Sequence, residues 1–270
     1  MVSRIINFNT DQVAPFEAKN RLLLMGMAGQ SCRLILWNRE TAAPEAVECF
    51  QLKNWTQENW DMLLNQSALL GFRDVEARVS IGFDRGTPVP AAIYGPEVAT
   101  ASLEALFGLA GDQLYSGADI ANGSEIIFTW QMSAALHSLV ANQFSVCSFR
   151  HEATSIINPS PWQGSCIQCM VYDEYAWVTL HHNGALRIAR PVAARFANDF
   201  TYQLLNMCKV NELDPTVVEL QLIGFVEPGS HITQAVERFF PVKTYPQPTG
   251  EWPADVPYHY FVQMLRLIQL

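Results

Sequence analysis

One order of hydrophobic periodicities runs through this chain twice, and few architectures accommodate that. In RLLLMGMAGQSCRLILW, two apolar runs are divided by Gly26, Ala28, Gly29 and Gln30, the pattern of two strands joined by a tight turn. A third run, AVECFQL, follows the loop at Pro44 and completes a three-stranded meander. Thr56 then caps a helix with Trp60, Leu63 and Leu64 at helical spacing, and a strand is predicted from Ala77 to Phe83. After the boundary loop NPSPWQGS the order returns. CIQCMVYD, YAWVTLHH and ALRIARPV form a second meander, with the hairpin pair Asn183-Gly184 joining the last two runs. The helix FANDFTYQLLNMCKV turns Phe200, Leu204, Met207 and Cys208 inward, with Asn198 or Asp199 as its cap. The strand VVELQLIG follows, and then the helix PGSHITQAVERFF, capped by Ser230. Each half thus reads as three antiparallel strands, a helix, a strand and a further helix. Crossover helices must bury their apolar stripes, so the order implies two mixed sheets, each covered on both faces, with a cleft between them.

The first half carries additional segments. SLEALFGLA reads as helix and GSEIIFTW as strand, while QMSAALHSLVANQF sets Met132, Leu136, Leu139 and Val140 on one helical face, with His137 on the helix surface. The chain closes with YHYFVQMLRLIQL, a short amphipathic helix, and Trp252, Tyr258 and Tyr260 lie in a proline-rich aromatic segment expected to pack over a domain surface, with docking to a partner as the alternative.

Composition excludes several functional classes. Apolar residues make up 49% of the 270 and charged residues 16%, so the chain should fold throughout. A net charge of -9 opposes an extended grip on phosphodiester backbones, and no nucleic acid is expected as partner. No apolar run approaches the roughly 20 residues that span a bilayer, so no membrane insertion is expected. The first 21 residues lack the apolar core of a secretory signal, which points to the cytoplasm. There the six cysteines should remain thiols. Cys166 and Cys169 have the spacing of a zinc or redox half-site, but nothing in the sequence completes a ligand set, and they read as small buried hydrophobes on a strand.

The run RVSIGFDRGTPVPAAIYGPE through FTWQMSAALHSLV, then ALRIARPVAARFANDFTYQLLNMC to VVELQLIGFVEPGSHITQAVERFF, resembles the bacterial domain-of-unknown-function family 3822, which is associated with an actin-like ATPase fold. LIGFVEPGSHITQAVERFFPV is more distantly similar to the pilus-assembly members of that superfamily. The expected fold is therefore α/β, a duplicated ribonuclease-H-like (actin-like ATPase) plan of two lobes, each a mixed five-stranded sheet with flanking helices. Residues 1–157 would form the first lobe with a polar N-terminal arm, and residues 158–270 the second lobe with the C-terminal helix.

The resemblance implies where a nucleotide would be gripped. Hydrolysing members of the superfamily place an acidic residue and glycines in the first hairpin turn of each half. Glycine lets the backbone approach a phosphate, and the carboxylate orients metal-bound water. The first turn here, MGMAGQS, keeps Gly26, Gly29 and the Ser31 hydroxyl but has no carboxylate. The second, VYDEYAW, has Asp173 and Glu174 but no glycine, and Tyr172, Tyr175 and Trp177 crowd it. At the adenosine-side turn, Gly224 is followed by Phe225, Val226 and Glu227 before Gly229. GFDRGT, at residues 82–87, has suggestive letters in Asp84, Gly86 and Thr87, but it follows the wrong strand. It reads as a surface turn in which Pro88 and Pro90 forbid a ladder-forming strand.

Other constellations do not assemble. His181 and His182 point to opposite faces of a strand, and His151-Glu152 has no partner histidine at helical spacing. Arg187, Arg190 and Arg195 read as a solvated edge. The expectation is a non-hydrolysing actin-like binding or scaffolding module with no catalytic residue, no metal and no cofactor, acting through a protein partner or self-association. The alternative is an ATPase or kinase-like enzyme with an unconventional site in the interlobe cleft, where Asp173 or Glu174 holds a metal. A redox protein using Cys166 and Cys169 is a third class.

Overall fold

A computed structural model describes residues 2–9, 18–109, 113–121, 125–157, 164–244 and 251–269. The chain opens with strand β1 (Val2–Asn9), followed by β2 (Arg21–Ala28), β3 (Ser31–Asn38) and β4 (Ala43–Leu52), helix α1 (Gln57–Gln66) and β5 (Glu76–Ile81). Next come β6 (Gly86–Pro90), α2 (Pro96–Phe107), β7 (Leu114–Ala121), β8 (Ile126–Ser133), α3 (Ala134–Ala141), β9 (Cys147–His151) and α4 (Thr154–Ile157). The second repeat comprises β10 (Ser165–Val171), β11 (Tyr175–His182), β12 (Ala185–Ala193), α5 (Ala197–Val210), β13 (Glu219–Gly224), α6 (His231–Val236) and β14 (Val242–Thr244), and α7 (Val262–Leu265) follows it.

The duplication is explicit in the sheets. The first runs β1-β4-β3-β2-β5-β9 and the second β12-β11-β10-β13-β14. Apart from β1, the two orders are the same: a meander, then a parallel strand laid beside its first member, then another parallel strand beyond. The mixed five-stranded α/β plan expected from the sequence is present in both halves, and the N-terminal arm adds a sixth strand to the first by pairing with β4. Largely apolar runs buried on both faces, such as β2 and β10, fit the centre of a covered sheet. α1 and α5 occupy equivalent places after each meander. Thr56 caps α1 through the Asn59 amide, as expected, and Ser230 caps α6 through the Thr233 amide. α5 differs from expectation at its start: Asn198 and Asp199 lie inside its first turn, and Phe196 holds the cap position with no side-chain cap. Asn183 and Gly184 both adopt left-handed φ values, 51° and 76°, as a tight hairpin turn requires.

The first half contains an insertion between β5 and α3, a separate three-stranded sheet in the order β6-β8-β7. Here a sequence expectation is corrected. Gly86–Pro90 is a ladder strand, with Gly86 opposite Trp130 and Val89 opposite Ile127. The argument from proline failed because β6 is an edge strand. Pro88 and Pro90, two apart, both turn their missing N–H outward, while Arg85 and the odd-numbered positions face β8. Met132, expected on the helix, is the penultimate residue of β8, and its side chain is buried in the first core. His137 stacks on Tyr115 at 3.6 Å, with Phe149 4.4 Å away.

Cys166 and Cys169 are both buried, with their thiols pushed up by desolvation, to about 12 at Cys166. Among the described residues no helix is long and apolar enough to cross a membrane. Tyr245, at the start of the aromatic and proline-rich segment, lies outside the described residues.

Gly117 of β7 sits under the Trp130 ring, where an added methyl would fall on the indole. Gly117→Ala is expected to cost about 1–3 kcal/mol by overpacking, measured as a lowered urea midpoint with a changed tryptophan emission.

Candidate functional site: the space between the halves

The two sheets meet through their hairpin turns, and the residues that close this space are mostly aromatic. Tyr172 directly follows β10 and β11 begins with Tyr175 and Trp177, so alternation sends all three toward the first half. The polar tips of Tyr175 and Trp177 find backbone partners just past the end of β5. The Tyr175 hydroxyl donates to the Gly82 carbonyl at 2.6 Å and accepts the Gly29 amide at 3.1 Å. The Trp177 indole donates to the Phe83 carbonyl at 3.0 Å. Gly82 is glycine because a Cβ there would lie 2.6 Å from the Tyr172 hydroxyl and 2.7 Å from the Ala28 methyl. The opening residues of GFDRGT are thus the socket for an aromatic ridge of the second half.

Beneath the ridge lies a buried ionic cluster. Arg33 on β3 and Glu152 after β9 are about 1% and 0% exposed at their side chains, and Arg33 Nη2 reaches Glu152 Oε1 at 2.6 Å. Ser80 donates to the same oxygen at 2.6 Å, and the Tyr172 hydroxyl donates to Oε2. Arg33 Nη1 donates to the Tyr260 carbonyl at 2.8 Å, and its guanidinium lies 5.5 Å from the Phe225 ring centroid and 5.9 Å from that of Tyr172. The Glu152 carboxylate holds the Arg33 guanidinium even more firmly charged, against its burial, while the Tyr172 phenol is pushed well up by desolvation and then by that carboxylate. Isolated charges this deep would be prohibitive; these are tolerable because they pair with each other and most of their hydrogen-bonding positions are filled, Arg33 Nε being the exception.

The sequence-derived candidates fall around this cluster unevenly. Gly29 and Asp173 are brought together: a Cβ on Gly29 would lie 3.6 Å from Asp173 Oδ2. That oxygen accepts the Gln51 amide at 3.3 Å. The Gly29 carbonyl is taken by the Trp55 indole at 2.8 Å. Ser31 turns back on its own hairpin, donating to the Ala28 carbonyl at 2.8 Å. Gly26 faces Arg33 and Met264, whose sulfur would be 2.8 Å from an added Cβ. Glu174 is exposed, and its carbonyl accepts the Ala194 amide. Gly224, at φ 86°, presses against the Val171 backbone of the neighbouring strand, and Gly229, at φ 76°, has open space where a Cβ would stand, its carbonyl taken by the Gln234 amide at 2.7 Å. Asp84, Asp173, Glu174 and Glu227 are exposed acids. Among the described residues no group of three histidines, cysteines or acids is placed to hold a metal ion.

Arg33, Ser80, Glu152 and Asp119 were not anticipated from sequence. The available signal was a charge inside an otherwise continuous apolar strand, SCRLILW, since arginine is rarely buried unpaired. Asp119 accepts the Trp130 indole at 2.8 Å and the His151 amide at 2.7 Å. The His151 ring accepts the Ala153 amide at Nδ1, so Nε2 carries the proton and donates to the Phe83 carbonyl at 2.8 Å. Burial pushes the Asp119 carboxyl up to about 6 and the His151 imidazole down to about 3.

Two outcomes follow from these clusters. Glu152→Ala strands a buried guanidinium and is expected to lower unfolding stability by about 3–5 kcal/mol, whereas Arg33→Met combined with Glu152→Leu recovers part of that loss in urea titration. The second concerns pH. Between 3.8 and about 6 the folded chain keeps a proton on Asp119 that the unfolded chain releases, so this group favours folding as pH falls. Between 6.5 and about 3 the unfolded chain protonates His151 and the folded chain does not, which acts in the opposite direction. The two effects offset each other. Asp119→Asn removes only the first, so as pH drops from 6 toward 4 the parent should gain stability on the variant by on the order of 1 kcal/mol per unit; a constant difference in denaturation series would refute the assignment.

Comparison with known proteins places this geometry. Residues 11–242 match the family model described as "Protein of unknown function (DUF3822)". No curated protein matches the chain by sequence. Among solved structures, a Bacteroides thetaiotaomicron protein with an actin-like ATPase fold and unknown function superposes with a TM-score of 0.77 at 13% identity, covering 94% of this chain and 97% of that one. A chain of the PilM-PilN type IV pilus biogenesis complex gives a TM-score of 0.51 at 11% identity, covering 83% and 88%. At these identities the likeness concerns fold alone, and the fold is the actin-like one. With 11–242 matched, this chain belongs to the DUF3822 family.

Proposed function

We propose that the protein is a non-hydrolysing, actin-like binding or scaffolding module, a pseudoenzyme whose two lobes, 1–157 and 158–270, are joined internally rather than through a nucleotide. The carrying observation is that the Gly29 amide is already satisfied by the Tyr175 hydroxyl. A phosphate-binding turn works by offering free backbone N–H groups at a glycine. Here the donor is occupied, Tyr172 and Tyr175 fill the adjoining volume, and Asp173 meets Gly29 directly. A triphosphate with its cation does not fit these residues as they stand, and Glu227 adds repulsion at the adenosine-side turn.

The work of such a module is to hold a protein partner. Its fold neighbour in the PilM-PilN complex is one member of a protein–protein assembly, which supports a reading in which the actin-like frame serves association. The acidic balance of the chain argues for a protein rather than a nucleic acid, and a cytoplasmic setting belongs to the same proposal.

Isothermal titration with ATP and magnesium is the direct test. No binding heat is expected at tens of micromolar protein, and no phosphate release over hours. A micromolar dissociation constant with turnover would replace this reading with that of an ATPase using an unconventional interlobe site.

A further inference from the structure

Residues 251–269 form the strap between the halves, and the geometry points to a built-in peptide ligand of the interlobe space. The stretch matched by the family model ends at residue 242, and the strap lies outside it. Its path returns from the second repeat to the first sheet. Val256, Phe261 and Met264 bury themselves against Leu22, Leu24, Ile35, Val47 and Cys49, the face of the first sheet opposite its main core. Ile6 and Phe8 of β1, also outside the matched stretch, border the same cluster, as does Trp252.

One residue of the strap engages both halves. The Tyr260 carbonyl accepts Arg33 of the first half at 2.8 Å, while its hydroxyl donates to Glu227 of the second at 2.6 Å. Its ring meets Phe225 edge-on at 4.7 Å. His259 Nε2 lies 3.9 Å from the same Glu227 carboxylate. Farther along, Gln263 and Arg266 bind Ser155 of α4, Gln263 through the serine hydroxyl and Arg266 through its carbonyl. The absence of a Cβ at Gly26 makes room for the Met264 sulfur.

This is the chemistry by which a groove recognises an amphipathic peptide: aromatic and apolar anchors at Tyr260, Phe261 and Met264, a guanidinium reading a backbone carbonyl and a carboxylate reading a hydroxyl. Because the peptide is tethered, its effective concentration is high and the groove stays filled. The strap does in one chain what a bound ligand does between lobes, fixing them relative to each other. Any outside segment of like chemistry reaches the groove only by exchanging with it. The inference rests on the cleft being internally filled, but its test uses no nucleotide and so stands or falls separately from the ATP titration.

Amide hydrogen exchange on the full chain decides it. Tyr260→Ala is expected to speed exchange by about tenfold or more, in concert, at the strap amides of Phe261 and Met264, at Gly29 and at Phe225 and Val226, while α5 keeps its protection. Tyr260→Phe, which loses only the Glu227 link, should speed the same set by less. If the strap amides accelerate while Gly29 and Phe225 hold, the strap merely covers one sheet and the proposal fails; no change at all is equally fatal. Should Tyr260→Ala loosen the whole chain uniformly, the Tyr260→Phe pattern is judged by the same criterion.

Discussion

The Arg33–Glu152 pair is the constraint around which the rest of the molecule is arranged. Two full charges with almost no access to water can persist only if they pair and most of their lone pairs and protons are answered from within. The partners come from four separate parts of the chain: Ser80 on β5, Tyr172 at the end of β10, the Tyr260 carbonyl and the rings of Tyr172 and Phe225. Each half of the duplicated fold supplies some of them. The pair therefore specifies a relative placement of the halves, because displacing one would leave a charge unanswered in an apolar interior.

The same logic explains why the turns facing each other are aromatic rather than glycine-rich. A hairpin of glycines and free amides is an invitation to an anion; a hairpin of tyrosines whose hydroxyls reach across to the opposite backbone is a seam. Tyr175 both accepts and donates across it, which a phenylalanine could not do. Burial raises the phenol's pKa, so it remains a neutral hydroxyl with a proton to give.

Much of the architecture was legible because it rests on periodicity. Buried strands such as LLLMGM and CIQCMV, the Asn183-Gly184 turn and the Thr56 and Ser230 caps are local signals, and the doubled order of elements supplied the fold. What was hidden is nonlocal. β7 and β9 carry mixed polar and small residues that make sense only once their neighbours are in place, and Pro88 and Pro90 look like strand breakers unless the strand is known to be an edge. At the site, Tyr172 and Tyr175 could be read as obstructive from position alone. Arg33 and Glu152, 119 residues apart, could not be paired without the fold.

The prolines of β6 have a last consequence. In an edge strand, alternate residues point their amide and carbonyl away from the sheet. On β6 those positions are Gly86, Pro88 and Pro90; the prolines have no proton to offer, and the Gly86 amide is turned to the Asp84 carbonyl. The rim therefore shows acceptors without donors to its surroundings. A foreign strand arriving there would find half of each hydrogen-bonded rung missing, so the small sheet is sterile toward growth on that side, and runaway stacking of copies along it is closed off by two imino acids.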